Sequence, residues 1–223
     1  MKHLSTRTLL CGAIFSVALL FPVSVLAGPP LLCHPFDTAG APSLEWGGKG
    51  WNEARGDYDL GQLVARTDAL LTARTPIVAR METLRRAAIY ASRDGQVARD
   101  LAASLDARIA KAGTPDARAL ALFDAGYYAE TLQDIVRLQG YDMPGIGKVD
   151  APALRAIVAK GDGSVRIAQA LQLRPTDPGM NFAAALVASA DERKADVAVH
   201  ARSARAGADR DRLVALNLDQ IAR

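Results

Sequence analysis

Residues 75–91 read TPIVARMETLRRAAIYA, and residues 114–138 read TPDARALALFDAGYYAETLQDIVRL. Both stretches open on Thr-Pro. A threonine hydroxyl can accept from an orphan amide at a helix start, and proline is tolerated in the first turn, where its missing N–H has no partner to lose. In the first stretch Ile77, Met81, Leu84, Ala88 and Ile89 fall on one face. In the second the same spacing runs through Leu120, Phe123, Tyr127, Leu132, Ile135 and Leu138. Apolar residues three or four apart form a helical stripe that needs a partner to bury it. Two amphipathic helices are therefore expected. Gly126 costs the second about 1 kcal/mol relative to alanine, so it serves a close backbone crossing or marks a break.

The flanking sequence repeats this grammar. Asp57 or Asp59 caps a helix through Leu60, Leu63, Val64, Leu70 and Leu71. Asp94-Gly95 turns the chain into Val97, Leu101, Leu105 and Ile109, and Gly113 is placed to end that helix in the left-handed conformation. Gly140 to Val149 reads as a loop. Asp150 with Pro152, Gly161-Asp162-Gly163 before Ser164, and Asp177-Pro178 start three further helices. Asp191 to Ala206 is an alanine-rich charged helix ended by Gly207, and Asp209 opens a last one with Leu213, Leu216 and Ile221. No run alternates with a period of two, so strands are not expected. About eight or nine helices of about 12 to 22 residues follow, joined by short turns that favour antiparallel neighbours. The expected fold is all-α: stacked antiparallel helical hairpins, α-α repeat or superhelix-like, over residues 57–223, with an irregular N-terminal segment.

That segment, residues 28–56, is broken by Pro29, Pro30, Pro35, Gly40, Pro42, Gly47, Gly48 and Gly50. It also carries Leu31, Leu32, Phe36 and both tryptophans, Trp46 and Trp51. A chain this apolar is expected to pack on the helical body.

Residues 1–27 read as a signal peptide. Lys2, His3 and Arg7 precede an uncharged apolar run from Leu9 to Leu20; Pro22 breaks it, and Val25-Leu26-Ala27 offers small residues for cleavage near Ala27-Gly28. The expected location is periplasmic or secreted, with no membrane span after cleavage. Two of the 27 basic residues and none of the 24 acidic ones lie in the leader, which leaves a formal charge of +1. A near-neutral surface speaks against a nucleic-acid partner. Arginine outnumbers lysine 21 to 6, but it is dispersed along the helices rather than clustered, the mark of solvated faces. Cys11 leaves with the leader, so Cys33 has no intrachain disulfide partner and packing must supply the stability.

Phe123-Asp124-Ala125-Gly126-Tyr127-Tyr128-Ala129-Glu130-Thr131-Leu132 resembles part of a tetratricopeptide repeat. In that family a glycine, an aromatic two residues on and a Glu-small-aliphatic step join the two helices of a hairpin; Gly126, Tyr128, Glu130, Thr131 and Leu132 follow that order. The match spans about ten residues without a second copy at the expected period, and it lacks the family's early tryptophan and late proline. The resemblance implies an α-α repeat; a helix continuous through Gly126 would make the local match coincidental. The leader, the Pro-Pro-Leu-Leu-Cys-His-Pro-Phe-Asp opening and the Met-Glu-Thr-Leu-Arg-Arg-Ala helix together resemble exported bacterial helical proteins without an assigned activity.

Chemistry-bearing residues are few. Cys33 and His34, beside Pro35, Phe36 and Asp37, are the densest cluster; a thiolate, an imidazole and a carboxylate can ligate a metal, and Cys with His can form a nucleophile pair. Adjacent side chains on extended backbone point apart, so the competing reading is that Leu31, Leu32 and Phe36 anchor the segment while Cys33 packs as a small apolar residue. His200, the other histidine of the mature chain, reads as solvated or capping. Glu45, Glu53, Asp57 and Asp59 flank the tryptophans, as paired carboxylates do in sugar-cleaving sites, or serve as caps. Gly47-Gly48-Lys49-Gly50 lacks the full phosphate-loop pattern. Arg85-Arg86 can meet an acidic partner. No cofactor motif is present. The leading expectation is a non-enzymatic, exported, repeat-like protein that binds a protein or peptide on a surface made by successive helices. The alternative is an enzyme or metal protein with its site at the Cys33/His34 segment. The candidate site residues are Cys33, His34, Trp46 and Trp51, and a Cys33-linked homodimer is a third possibility.

Overall fold

The structure, a computed structural model, describes residues 30–138 and 145–221. The expected leader with Cys11, and residues 140–144 of the expected loop, lie outside them. Among the described residues there are nine α-helices and no β-strand: α1 (Leu63–Leu70), α2 (Ile77–Ala91), α3 (Gly95–Lys111), α4 (Pro115–Arg137), α5 (Ala151–Val158), α6 (Gly163–Leu173), α7 (Pro178–Ala190), α8 (Lys194–Gly207) and α9 (Arg212–Asn217). None is long and apolar enough to cross a membrane. The fold is all-α, with helices stacked in antiparallel pairs.

Most helix starts use the side chains that the sequence offers. Thr114, Asp94, Asp150, Asp162 and Asp177 each accept an amide N–H from the first turn of α4, α3, α5, α6 and α7, which satisfies donors that the helix itself cannot. Four details differ from the sequence reading. Thr75 does not cap α2; its hydroxyl donates to the Leu70 carbonyl at 2.6 Å and closes the α1–α2 turn. Ala112, in extended conformation, ends α3, and Gly113 has no positive φ. Asp211, not Asp209, caps α9. Finally, α1, α5 and α9 have only 8, 8 and 6 residues. At the first and last of these, 3-10 turns at Leu60–Gln62 and Leu218–Gln220 carry part of the apolar stripe, and apolar spacing does not separate a 3-10 turn from an α-helical one.

Burial sorts the helices into two layers. In α2, 14 of 15 residues are buried, in α4 15 of 23 and in α7 10 of 13. In α3, α6 and α8 only 4 of 17, 3 of 11 and 3 of 14 are. The outer helices lie on the inner ones, α3 and α6 chiefly on α4 and α8 on α7, and the inner three also touch one another. A helix buried on all sides has no solvent face left for its charges, and here most of those charges are paired, Glu130 of α4 excepted. Arg80 of α2 and Asp124 of α4, both fully buried, meet at 2.7 Å. Arg80 also donates to the Thr75 carbonyl at 3.1 Å and to that of Thr72. Arg108 of α3 approaches Asp124 at 3.6 Å and Asp68 of α1 at 3.4 Å.

Helix α4 is continuous through Gly126, which therefore marks a crossing. A Cβ at Gly126 would lie 2.7 Å from the carbonyl oxygen of Gly163 on α6, and one at Gly163 would lie 2.5 Å from that of Gly126. Two backbones meet here with no room for a side chain. The ten-residue tetratricopeptide-like stretch thus lies inside one helix and is not a hairpin turn; the likeness to that architecture resides in the packing of inner and outer helices.

Candidate functional site

Residues 30–56 contain no helix and run as a strap over the inner layer. Leu31 and Leu32 are fully buried, and Phe36 and Leu44 nearly so. Burying four such side chains contributes about 2 kcal/mol each before ordering costs. An irregular backbone pressed onto helices would strand its amides and carbonyls. The body supplies their partners.

Each inner helix, and the terminal one, contributes. From α4, Asp134 accepts the Leu31 N–H at 3.1 Å. On α2, Glu82 accepts the Phe36 N–H at 3.1 Å, while Arg85 donates to the carbonyls of Leu32 at 3.2 Å and Trp51 at 3.4 Å. Arg86 donates to the Leu44 carbonyl at 2.5 Å and the Tyr90 hydroxyl to that of Glu45 at 2.8 Å. On α7, Phe182 meets Phe36 edge-on, with ring centroids 6.0 Å apart. At α9, the Asn217 amide both accepts from the Asp37 N–H and donates to its carbonyl, each at 2.9 Å, the pairing that a neighbouring strand would offer. Polar side chains thus hold the backbone while apolar seats take Leu31, Leu32 and Phe36.

Charge on this face is balanced internally. Glu82 accepts from Arg85 through both oxygens, at 2.8 and 2.7 Å, and from Arg86 Nε at 2.7 Å. Burial opposes its ionisation, yet Arg85, Arg86 and the Phe36 N–H hold its carboxyl below the ordinary value. Asp134 goes the other way. Burial pushes its carboxyl up to about 6, against the Leu31 N–H and Arg137.

The four residues singled out by sequence lie on or beside this strap, but they do not form a reaction centre. Cys33 is half-buried, and burial, then Asp134, raise its thiol pKa against the pull of Arg85. A protonated thiol is a poor nucleophile and a poor ligand. His34 sits partly buried in the adjoining bend. Trp46 donates its indole N–H to the Gly50 carbonyl at 2.8 Å and lies edge-on to Tyr90, with Arg85 and Arg86 above its ring at 5.4 and 5.7 Å. Trp51 packs, partly buried, against the core and accepts from Arg85 through its carbonyl. Arg85 is the residue that connects them, through Leu32, Trp51, Glu82 and the Trp46 ring. The sequence signal for it was the Glu82-Arg85-Arg86 spacing, three and four residues apart on one helix face.

The other candidates are structural. His200 lies against α7, its Nδ1 3.1 Å from Asn181 Oδ1, and burial lowers its pKa. Glu45 and Asp57 pair with Arg55, Glu45 also pairs with Arg66, Asp59 caps the turn before α1, and Glu53 accepts the Gly50 N–H. Among the described residues no three of His, Cys, Asp and Glu are grouped to hold a metal ion. What the inner face does is hold a non-helical segment of the chain. Comparisons with protein-family models, with curated proteins and with solved structures find no match to this chain.

Proposed function

We propose that this is an exported, non-enzymatic helical-repeat protein that binds a protein partner by laying a non-helical segment of it along the inner helices α2, α4 and α7 and against α9. One observation carries the reading: that face already holds such a segment, the chain's own residues 31–37, through side-chain bonds to its backbone and seats for its apolar side chains. Backbone-directed bonds tolerate many sequences, while the seats select apolar residues at fixed spacing. In this reading the strap is a resident ligand, and a partner segment exchanges with it. Export rests on the basic start and apolar run of residues 1–27.

Exchange is measurable. A protease site placed at the exposed Gly47–Lys49 stretch of the full chain allows the strap to be cut without removing it. A fluorescent peptide of residues 28–46 is expected to replace the cut strap saturably, and Glu82→Gln is expected to weaken its binding. A cut strap that never exchanges with added peptide would make it a fixed part of the core and defeat the proposal. The N-terminal sequence of the protein recovered from its native compartment tests export; an intact leader on all of the protein would refute that part.

A further inference from the structure

A second concave feature lies on the other side of α4 from the strap. It is a cleft between α3, α4 and the turn joining α5 to α6. From α3 come Arg99, Ala102 and Asp106, spaced three and four apart and so on one face. Its floor is apolar. Leu105, Ala125, Tyr128 and Ile157 are buried there, and the Tyr128 hydroxyl is directed away to the Ala98 carbonyl at 3.2 Å. The small side chains of Ala102, Ala125 and Ala129 leave the space that larger residues would fill, in an interior that is otherwise close-packed. The cavity measures about 120 Å³, against the ~150 Å³ of an engineered apolar cavity that accepts benzene.

Its rim is cationic. Four charged residues line the cleft: Arg99, Lys160, Arg166 and Asp106. Arg166 is neutralised by Asp106 at 2.7 Å. The Arg99 side chain bonds to the neutral Gln96 at 3.0 Å, and no side-chain ion pair or hydrogen bond holds the Lys160 ammonium among the described residues. Two uncompensated cations therefore border an apolar hollow with the volume of one six-carbon ring or chain.

We infer that this cleft is a binding site for a small organic monocarboxylate, its compact apolar body seated on Leu105, Ala125 and Ile157 and its carboxylate held between Arg99 and Lys160. Charge-assisted bonds to the carboxylate give preference over neutral isosteres, and the cavity volume limits the body to about six or seven carbons.

Benzoate and hexanoate, with benzyl alcohol and hexanol as neutral counterparts, titrated against the full chain test this inference by calorimetry and by the alanine methyl resonances of α3 and α4. Saturable binding of at least one acid with a Kd of about 1 mM or tighter is expected, with its alcohol at least about tenfold weaker. The double variant Arg99→Gln with Lys160→Gln, both at exposed positions, should weaken the acid about tenfold and leave the alcohol unchanged. Ala129→Leu, which fills the hollow, should abolish both. Failure of either acid to saturate, or acid binding indifferent to loss of both cations, overturns the inference. The charge variant perturbs no buried contact, so its result stands even if Ala129→Leu disturbs folding.

Discussion

Replacing Gly126 with alanine sets helix propensity against packing. Propensity alone predicts a gain of about 1 kcal/mol, since glycine is the poorer helix residue. The structure predicts a loss. The new methyl carbon would lie 2.7 Å from the Gly163 carbonyl oxygen and 2.9 Å from Ile167 Cγ1, where carbon and oxygen normally stand about 3.3 Å or more apart. The nearer obstacle is backbone and cannot rotate aside, so α6 must retreat by about half an ångström along its contact with α4. Overpacking of this kind costs up to about 3 kcal/mol; less the propensity gain, a net loss of about 2 kcal/mol remains. Urea unfolding followed by circular dichroism would read this as a midpoint lower by about 1 M, for a slope of about 2 kcal/mol per M. Gly113→Ala is the control. No atom lies within 4 Å of its would-be Cβ and its φ is not positive, so stability there should hold or rise by about 0.4–1 kcal/mol. A Gly126→Ala protein as stable as the parent would refute the argument that the α4–α6 crossing requires bare backbone.

Two other perturbations probe the buried charges. Asp124→Asn strands Arg80 without its counter-ion and should cost about 3–5 kcal/mol, whereas Arg80→Met combined with Asp124→Leu should cost less than the single change; chemical denaturation of the three variants checks the order. Glu130, at the α4–α6 crossing, has its carboxyl pushed from 4.5 to about 7 by burial, with Asp191 and Asp162 adding to it and the Ser164 N–H and Arg137 opposing. Because the folded value lies above the unfolded one, its contribution is fully present below about pH 4.5 and is lost as pH rises through about 7, a swing of at most about 3 kcal/mol. The protein should therefore unfold at higher urea at pH 5 than at pH 8, a trend to which Asp124 and Asp134, both raised to about 6, also contribute. Glu130→Gln should remove much of that slope, and a variant with the parent's slope would contradict the assignment.

The helices were legible because two local signals coincided: apolar residues on one face, and Asp or Thr at the start followed in several cases by proline. Gly126 was legible as a special position but not as a crossing, because the partner that explains it, Gly163, lies on another helix. The inner face was the least legible part. In α2 the arginines, dispersed like those of the other helices, read as solvated, yet Arg80, Glu82 and Arg85 are fully buried. They are buried because α4 and the strap cover them, and the positions of those covers depend on tertiary contacts. The apolar content of residues 31–51 hinted at a covering role without indicating which helices were covered. Cys33 and His34 drew attention as rare residue types, yet Arg85, one of many arginines, makes the connections.

The clasp between Asp37 and Asn217 joins points 180 residues apart. Closing a loop that long costs about 5 kcal/mol of chain entropy, more than two amide bonds return, so the clasp forms only on helices that have already assembled. On the ribosome, Asn217 emerges 180 residues after Asp37. A nascent chain must therefore synthesise α9 before the strap is fully fastened, and a product that lacks α9 would carry a half-fastened, protease-sensitive strap. The latch makes the arrival of α9 felt at a distant stretch of backbone.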